Sequence, residues 1–573
     1  MVNRFPLPAR RVAAPAAALV ALCCAVTAAP LSATATSGRA DGPTSSAAPY
    51  MVSTADGVTL QSILTAGDVV EGYAMAGTPD GLGAFDNGDG TFTTVVNHEF
   101  AAPTEGTPRS HGNQTGAFVS RWVVDKDTLK VVQGSDQIQH LVLTSGGSND
   151  ISRLCSADLA PLSAFYNSAT GKGFNAHIFL NGEEAGATGR AFANVVSGGY
   201  NGFTYELPDV GKAAWENLAA SPATGDRTVI VGQSDGGNGG VYVYAGDKSS
   251  TGGPLVRAGL TGGTSARIAV TGMPTEDSTV PDDGTVRRFT LDEASATAFD
   301  RPEDGAWDVL DPNVYYFATT ASTTKHSRIW KVTFDDASQP ELGGDIEVLA
   351  EGPALAADAD PTTSEGPLMM DNLTVAPGGF LLVQEDPGSS TYLSGIFSVD
   401  PRTGEFERVA QHSAQYFTET GSDFITTNEE SSGIIPAPFL GPDAFLLADQ
   451  IHKAVADPAQ VEMGQLLRMD VPLPDVTPVG PAKVKITLKG INASSGKDTL
   501  KADAPSIAAG AQVEFFRVKG NKMTKVADGA LNGKGDLTAT VKDLNGKDTT
   551  TYVVRLLPND AVKAAVSNKV DVK

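Results

Sequence analysis

The sequence predicts an all-β protein: a β-propeller of about six blades followed by a small immunoglobulin-like β-sandwich. Three observations predict this fold. Short apolar strands recur between glycine-rich turns from residue 50 to residue 471, prolines cluster in residues 472–481, and apolar and polar residues alternate from residue 482 onward. The chain has 573 residues, of which 62 are glycine and 34 are proline, so many short strands are favoured over long helices.

The first 35 residues are predicted to be a leader for export. Three arginines precede an apolar run from residue 12 to residue 29, and small residues at 33–35 suit a signal peptidase. The run is too short and too rich in alanine for a membrane span, which disfavours an uncleaved anchor. The general and the twin-arginine export routes both stay open. We expect a mature protein that is soluble, secreted or extracytoplasmic, and without a membrane span.

The proline-rich segment 472–481 is predicted to be a linker between the two domains. The charge balance reverses there: residues 1–480 contain 26 basic and 58 acidic residues, whereas residues 481–573 contain 16 basic and 9 acidic residues. Segments such as 512–518 and 551–556 alternate in the manner of a sandwich. Residues 482–573 contain no histidine and no cysteine, so we expect an accessory domain that contacts a cell envelope or a polymer.

Charge and cysteine content restrict the possible chemistry of the propeller, residues 50–471. The net charge of the whole chain is −25, and residues 1–480, with 26 basic and 58 acidic groups, carry −32, which excludes binding to nucleic-acid phosphates. Two of the three cysteines lie in the leader, which leaves Cys155 alone and allows no internal disulfide. Cys155 has two interpretations: a small buried apolar residue, or a thiolate that binds a metal ion.

Two familiar catalytic motifs are excluded by their context. Residues 232–236 match a nucleophile elbow, but the glycines that follow lead into another strand, whereas an elbow must enter a helix. His98 and Glu99 are not followed by a second histidine in helical register, so no zincin site is present.

Acidic residues recur instead at one end of the apolar strands. The candidate metal ligands among them are Glu99, Glu183, Glu184, Glu303, Asp371, Glu385 and Glu429. A single acidic pair after a strand is usually a solvated turn, but equivalent strand ends of a propeller converge on its axis. Carboxylates that are brought together in this way repel one another unless cations neutralise them. Oxygen ligands in this number suit calcium, and a thiolate among them suits iron.

The order of these motifs resembles that in the alkaline phosphatases of the PhoX type. The resemblance covers residues 56–471 and not the C-terminal sandwich. In that family the cysteine lies in an Asn-Cys-Ala-Gly-Gly segment, whereas here it follows Arg153 and Leu154. The matching motifs are Asn97-His98-Glu99, Cys155 upstream of Gly182-Glu183-Glu184, Arg301-Pro302-Glu303, Asp371-Asn372-Leu373 with Gly378-Gly379, and Glu385-Asp386.

The resemblance implies a six-bladed propeller with calcium and iron ions at its axis, and an exported enzyme that hydrolyses phosphate monoesters, with a small phosphorylated molecule as its substrate. Arg301 would then neutralise the phosphate group. The ions would be held by Glu99, Cys155, Glu183, Glu303 and Glu385, with Glu184, Asp371 and Glu429 binding further calcium or supporting the ligands. A calcium-stabilised binding propeller without catalytic activity is the main alternative, and a phytase-like or phosphodiesterase propeller is the third. We expect a monomer.

Overall fold

The computed structural model describes residues 39–572, except 145, 236–238, 475, 477–484, 495, 506–507, 520–521, 544–548 and 558–564. The predicted leader lies outside the described residues. Nearly all regular structure in the described part of the chain is β. None of its helices has the length and apolar character that a membrane crossing needs.

Short strands precede the first blade. They are β1 (Arg39–Ala40), β2 (Met51–Ser53), β3 (Thr59–Thr65), β4 (Val69–Val70) and β5 (Tyr73–Ala74). Strands β4 and β5 pair with each other, whereas β2 and β3 join sheets formed mainly by later parts of the chain. The propeller therefore uses residues from its N-terminal end in two blades.

The first two blades follow in chain order. The first consists of β6 (Pro79–Asp86), β7 (Thr91–His98), β8 (Phe118–Asp125) and β9 (Val131–Asp136). The next segment contains β10 (His140–Val142), β11 (Leu154–Asp158), β12 (Tyr166–Asn167), β13 (Lys172–Gly173), β14 (Ile178–Glu183), β15 (Ala191–Val195) and β16 (Phe203–Glu206). The second blade has the order β10-β16-β15-β14-β11, and β12 and β13 form an inserted hairpin.

The third and fourth blades share an outer strand. The third consists of β17 (Trp215–Ala220), β18 (Arg227–Ser234), β19 (Gly240–Asp247) and β20 (Thr264–Val270). After β21 (Arg287–Leu291), the fourth consists of β22 (Pro302–Trp307), β23 (Val314–Thr319), β24 (Arg328–Phe334) and β25 (Gly344–Glu351). Because β21 pairs with both β20 and β25, the two blades form one nine-stranded sheet.

The last two blades combine distant parts of the chain. The fifth consists of β2 with β26 (Met370–Val375), β27 (Leu381–Glu385), β28 (Gly395–Val399) and β29 (Phe406–His412). The sixth consists of β1 and β3 with β30 (Glu429–Pro436), β31 (Ala444–Ile451) and β32 (Met463–Asp470). Pairing of β3 with β32 joins the two ends of the propeller in one sheet and closes the ring.

Helices are few and short among the described residues. The α-helices are α1 (Pro254–Ala258) and α2 (Ala414–Phe417). The 3-10 helices are Leu162–Ala164, Gly186–Thr188, Gly198–Tyr200, Pro340–Leu342 and Pro361–Thr363.

The core of the propeller lies between its blades. Each pair of consecutive blades, including the sixth and the first, encloses one cluster of buried apolar side chains. The innermost strand of each blade contacts the innermost strand of the next, and β30 contacts β6. The second strand of a blade is the one that pairs with the innermost strand. In the sixth blade this strand is β31, which is buried along its whole length, and this explains why it stands out in the sequence as an apolar run. The propeller of about six blades predicted from the sequence is confirmed.

The C-terminal region forms the predicted sandwich. One sheet contains β33 (Thr487–Ser494), β34 (Lys497–Asp503) and β37 (Asp536–Lys542). The other contains β35 (Gln512–Lys519), β36 (Lys522–Ala530), β38 (Thr550–Leu556), β39 (Ala565–Val566) and β40 (Val570–Val572). These sheets enclose an apolar core of their own, which includes Phe515 and Tyr552. The exact domain boundaries, with much of the linker outside the described residues, stay a prediction.

Candidate metal centre

In five of the six blades, the second residue of the innermost strand has an ionisable side chain. In these strands a β-bulge follows the first residue and turns the second residue to one side of the regular ladder. The five residues, here called the inner set, are Asp80, Cys155, Glu216, Glu303 and Asp371. The fold thus places four carboxylates and one thiol at equivalent positions around the ring.

A second set of polar residues lies beside the first. In all six blades the first residue of the innermost strand pairs with the last residue of the second strand, so these two strand ends lie side by side. The next residue after the second strand lies close to the inner set. In the first five blades these residues, here called the outer set, are Glu99, Glu184, Asp235, Thr320 and Asp386.

The sixth blade departs from this pattern. Its bulge lies between Ser432 and Ile434, so Ser432 and Gln450 occupy the inner and outer positions. Gln450 Nε2 donates to Asp80 Oδ2 (3.2 Å) and to Glu99 Oε2 (3.3 Å). Glu430 lies two residues before Ser432, whose hydroxyl donates to Glu430 Oε1 at 2.6 Å.

Members of the two sets form three overlapping groups of possible ligands. Within each group the ligand atoms lie within 4.8 Å of one another. The groups are Asp80, Glu99 and Cys155; Cys155, Glu184 and Glu216; and Glu216, Glu303 and Asp371. Because Cys155 and Glu216 each belong to two groups, the ligands form one continuous series across five blades.

The chemistry of these side chains fits bound cations. Asp80 is buried, and its Oδ1 has no hydrogen-bond partner among the described residues. Burial and the neighbouring carboxylates Glu430 and Glu99 raise the pKa of Asp80 well above its usual range. Burial and Glu216 likewise raise the pKa of the Cys155 thiol. Burial therefore favours the neutral forms of these groups unless a cation neutralises them, and carboxylates and a thiolate are ligand types that cations bind.

Three cationic side chains pair with carboxylates that lie in or beside the inner and outer sets. Arg153 Nε donates to Glu99 Oε1 at 3.0 Å, and its Nη2 contacts Glu184. Arg301 Nη2 lies 3.1 Å from Asp235 Oδ2 and 2.9 Å from Glu303 Oε1.

The third cation is His452, which lies between Glu430 (3.3 Å) and Glu462 (2.9 Å). Burial, which lowers the pKa of His452, is outweighed by these carboxylates, and the pKa rises to about 11. His452 is therefore an imidazolium at neutral pH.

Most candidate ligands from the sequence lie in the three groups, but three do not. Both carboxylate oxygens of Glu183 bind Arg190, each at 2.7 Å. Glu385 accepts hydrogen bonds from the backbone N–H of Leu368 (2.5 Å) and Gly395 (2.8 Å) and from the Tyr392 hydroxyl (2.9 Å).

Glu429, the third of these residues, is buried outside the groups. Neither of its carboxylate oxygens has a hydrogen-bond partner within the described chain. Burial raises the pKa of Glu429 to about 7.

Sequence reasoning missed Asp80 and Glu216, which belong to the inner set. Their signal is a repeated local pattern rather than an acidic pair. Pro79-Asp80-Gly81 parallels Pro302-Glu303-Asp304, and Trp215-Glu216-Asn217 parallels Met370-Asp371-Asn372. An acid placed second in a short strand, after proline or a large apolar residue, identifies this position.

A separate cavity of about 370 Å³ lies at the other end of the innermost strands. Its lining includes Ala84, Asp158, Ala219, Trp307, Val375 and Ile435, one from each blade. It contains no member of the three ligand groups.

Comparisons with known proteins give likeness only at the level of three-dimensional structure. The sequence matches no protein-family profile and no curated protein. Pseudomonas fluorescens PhoX, solved in complex with vanadate, a transition state analogue, is similar over 72% of this chain and 95% of that chain, with 13% identity and a TM-score of 0.47.

A second likeness is to prolyl oligopeptidase B from Galerina marginata, bound to a 35mer hydrolysis and macrocyclization substrate. It covers 74% of this chain and 46% of that chain, with 8% identity and a TM-score of 0.25.

Proposed function

We propose that this protein is an exported, metal-dependent hydrolase of phosphate monoesters. The observation that carries the proposal is the continuous series of carboxylates around one buried thiol, with Arg301 beside it. The order of the sequence motifs, which resembles that of the PhoX-type phosphatases, supports the same chemistry. Metal ions would be held by Asp80, Glu99, Cys155, Glu184, Glu216, Glu303 and Asp371.

The ligands divide by chemical type. Cys155, which belongs to two groups, would bind iron through its thiolate together with neighbouring carboxylates. The carboxylates farther from the thiol, such as Asp371, would bind calcium. Such cations polarise phosphoryl oxygens and activate an attacking oxygen when they are bound.

Arg301 would bind the phosphoryl group of the substrate. Its guanidinium is a planar fork, it is partly exposed, and its carboxylate partners lie in or next to the inner set. A phosphate oxygen offers the same paired hydrogen bonds as a carboxylate. Arg301 would therefore orient the substrate and neutralise part of its charge.

Substitution of Glu216 tests the proposal. The full chain, loaded with calcium and iron, should hydrolyse p-nitrophenyl phosphate and lose this activity after chelation. Glu216→Gln removes the carboxylate shared by two groups, so bound metal and kcat should each fall by roughly tenfold or more. Glu293→Gln, which changes an exposed carboxylate paired with Arg267, is the matched control and should behave as the parent chain.

The outcomes separate the two leading functions. Calcium-dependent stabilisation without hydrolysis of any phosphate monoester would favour the calcium-stabilised binding propeller. Normal hydrolysis by the chelated chain would exclude a metal centre at this site.

A further inference from the structure

We propose that Arg153 is a second anion-binding arginine, which makes this site selective for phosphate compounds that carry another anionic group. The inference deepens the proposed function and takes its phosphate chemistry as a premise. It assigns to the substrate a reacting phosphate near Arg301 and a second phosphate or carboxylate near Arg153.

The backbone makes Arg153 and Arg301 equivalent residues of two blades. Each immediately precedes an innermost strand, and both have a positive φ, 50° for Arg153 and 60° for Arg301. Thr78 and Met369, which occupy the same position in the first and fifth blades, also have a positive φ, of 41° and 53°. This conformation is unfavourable for residues other than glycine and is concentrated at functional sites. Four blades therefore share a strained residue at this point, and in two of them it is arginine.

The two arginines also make one equivalent contact. Each guanidinium reaches the carboxylate that follows the second strand of the preceding blade, which is Glu99 for Arg153 and Asp235 for Arg301. Each also contacts a carboxylate of its own blade, Glu184 and Glu303 respectively. The arrangement is a repeated structural feature rather than an isolated surface ion pair.

Cation binding would free the guanidinium of Arg153 for an anion. Its two partners, Glu99 and Glu184, both belong to the ligand groups, so a bound cation competes with Arg153 for them. The Arg153 side chain is 47% exposed and remains accessible from solvent. An arginine whose carboxylates are occupied by cations becomes a charged fork without a partner, which suits a phosphate or carboxylate group.

The position of the two arginines suits a substrate with two charged ends. They belong to the second and fourth blades, which are separated by one blade of the ring, so they approach the shared ligand series from different sides. The ligand groups connect the partners of the two arginines, because Glu184 shares a group with Glu216, and Glu216 shares the next group with Glu303. A phosphate bound by Arg301 then leaves Arg153 available to a second anionic group of the same molecule.

Binding of two phosphonates to the metal-loaded full chain tests this inference without turnover. Phosphonoacetate carries a second anionic group, whereas methylphosphonate does not. The parent chain should bind phosphonoacetate more tightly in calorimetry. Arg153→Met should weaken phosphonoacetate binding by roughly 10- to 100-fold, with a smaller effect on methylphosphonate. Arg153→Lys, which keeps the charge but loses the fork, should fall between them.

Arg288→Met is the matched control. Arg288 is 46% exposed and pairs with two carboxylates, Asp335 and Asp345, at the periphery of the propeller. The Arg288→Met variant should bind both phosphonates with the affinity of the parent chain.

The proposal is overturned if Arg153→Met keeps the preference for phosphonoacetate. Should Arg153→Met lose bound metal, Arg153→Lys decides: retained metal with a reduced preference supports the proposal, and an unchanged preference overturns it. Hydrolysis of p-nitrophenyl phosphate by the parent chain tests the proposed phosphatase activity separately.

Discussion

Cys155 is the single residue that best separates a metal centre from a packing role. It is buried, and its Sγ lies 3.4 Å from Glu184 Oε2. If it only fills space, Cys155→Ser should cost about 1–2 kcal/mol of stability by burying a hydroxyl, with unchanged metal content. If it binds iron, the variant should lose iron, visible absorption and phosphatase activity while it keeps calcium. Metal analysis and absorption spectra measure the difference, and full iron content in the variant would contradict an iron–thiolate bond.

Lys248, which lies outside the candidate metal centre, makes the free energy of unfolding depend on pH. Its Nζ donates to the backbone carbonyls of Gly225 (2.7 Å) and Arg227 (2.8 Å), and burial lowers its pKa from 10.5 to about 8. Between about pH 8 and 10.5 the unfolded chain binds more protons than the folded chain, so this group makes the free energy of unfolding rise with pH. The cost of burying the charge is fully present below pH 8.

Lys248→Met should remove this rise. Denaturant unfolding at pH 7.5 and pH 10 should show a pH-dependent gain in the parent chain that is smaller in the variant, by as much as roughly 1.4 kcal/mol per pH unit. Lys172→Met, at an exposed residue paired with Asp226, should keep the parent slope. Equal slopes in all three chains would mean that Lys248 is not buried as a cation.

Close contact between innermost strands depends on Gly81, which lies in the bulge of β6. A Cβ at this position would lie 2.3 Å from the backbone nitrogen of Ala157 in the next blade. Gly81→Ala should therefore push β6 and β11 apart, lower the free energy of unfolding by about 1–3 kcal/mol and separate Asp80 from Cys155. Gly199→Ala, where nothing lies within 4 Å of the added atom, is the control. Parent-like stability and metal content in Gly81→Ala would show that the strands have room.

Strand register explains which candidate ligands were predictable from the sequence. The ends of the apolar second strands are visible in the pattern, and Glu99 and Glu184 follow them directly. Glu183 and Glu385 end their strands, while Glu184 and Asp386 follow them, so the two members of each pair point in different directions. Glu429 and Glu430, which are consecutive residues of β30, also point in different directions. A shift of one residue is within the uncertainty of any strand end inferred from sequence.

The inner set was less predictable for a different reason. Its strands are bulged near their first residue, and the bulge interrupts the regular alternation of a strand, as at Asp80-Gly81 and Glu216-Asn217. Only the ring of six blades brings these positions together, because consecutive members of the inner set are about 60 to 90 residues apart along the chain. Periodicity therefore indicates the blades but not the residues at their centre.

At the scale of the whole molecule, the propeller should not need the sandwich. The sandwich has its own apolar core, and all members of the three ligand groups lie in the propeller. A chain that ends after Val476 should therefore remain folded and keep the parent metal content and activity. Thermal unfolding and metal analysis compare it with the full chain. Aggregation or metal loss on truncation would show that the sandwich supports the ring, for example through the contact of Lys534 with Asp335 (4.0 Å).

Closure of the sixth blade also determines when a newly made chain becomes competent. Strand β3 ends at Thr65, but its partner β32 begins only at Met463, so a nascent chain must emerge from the ribosome almost to the end of the propeller before the ring closes. Until then β3 lacks its antiparallel partner and presents an unpaired edge to other chains. A stop codon before Met463 removes β32 and leaves the ring open, however many of the earlier blades have been made.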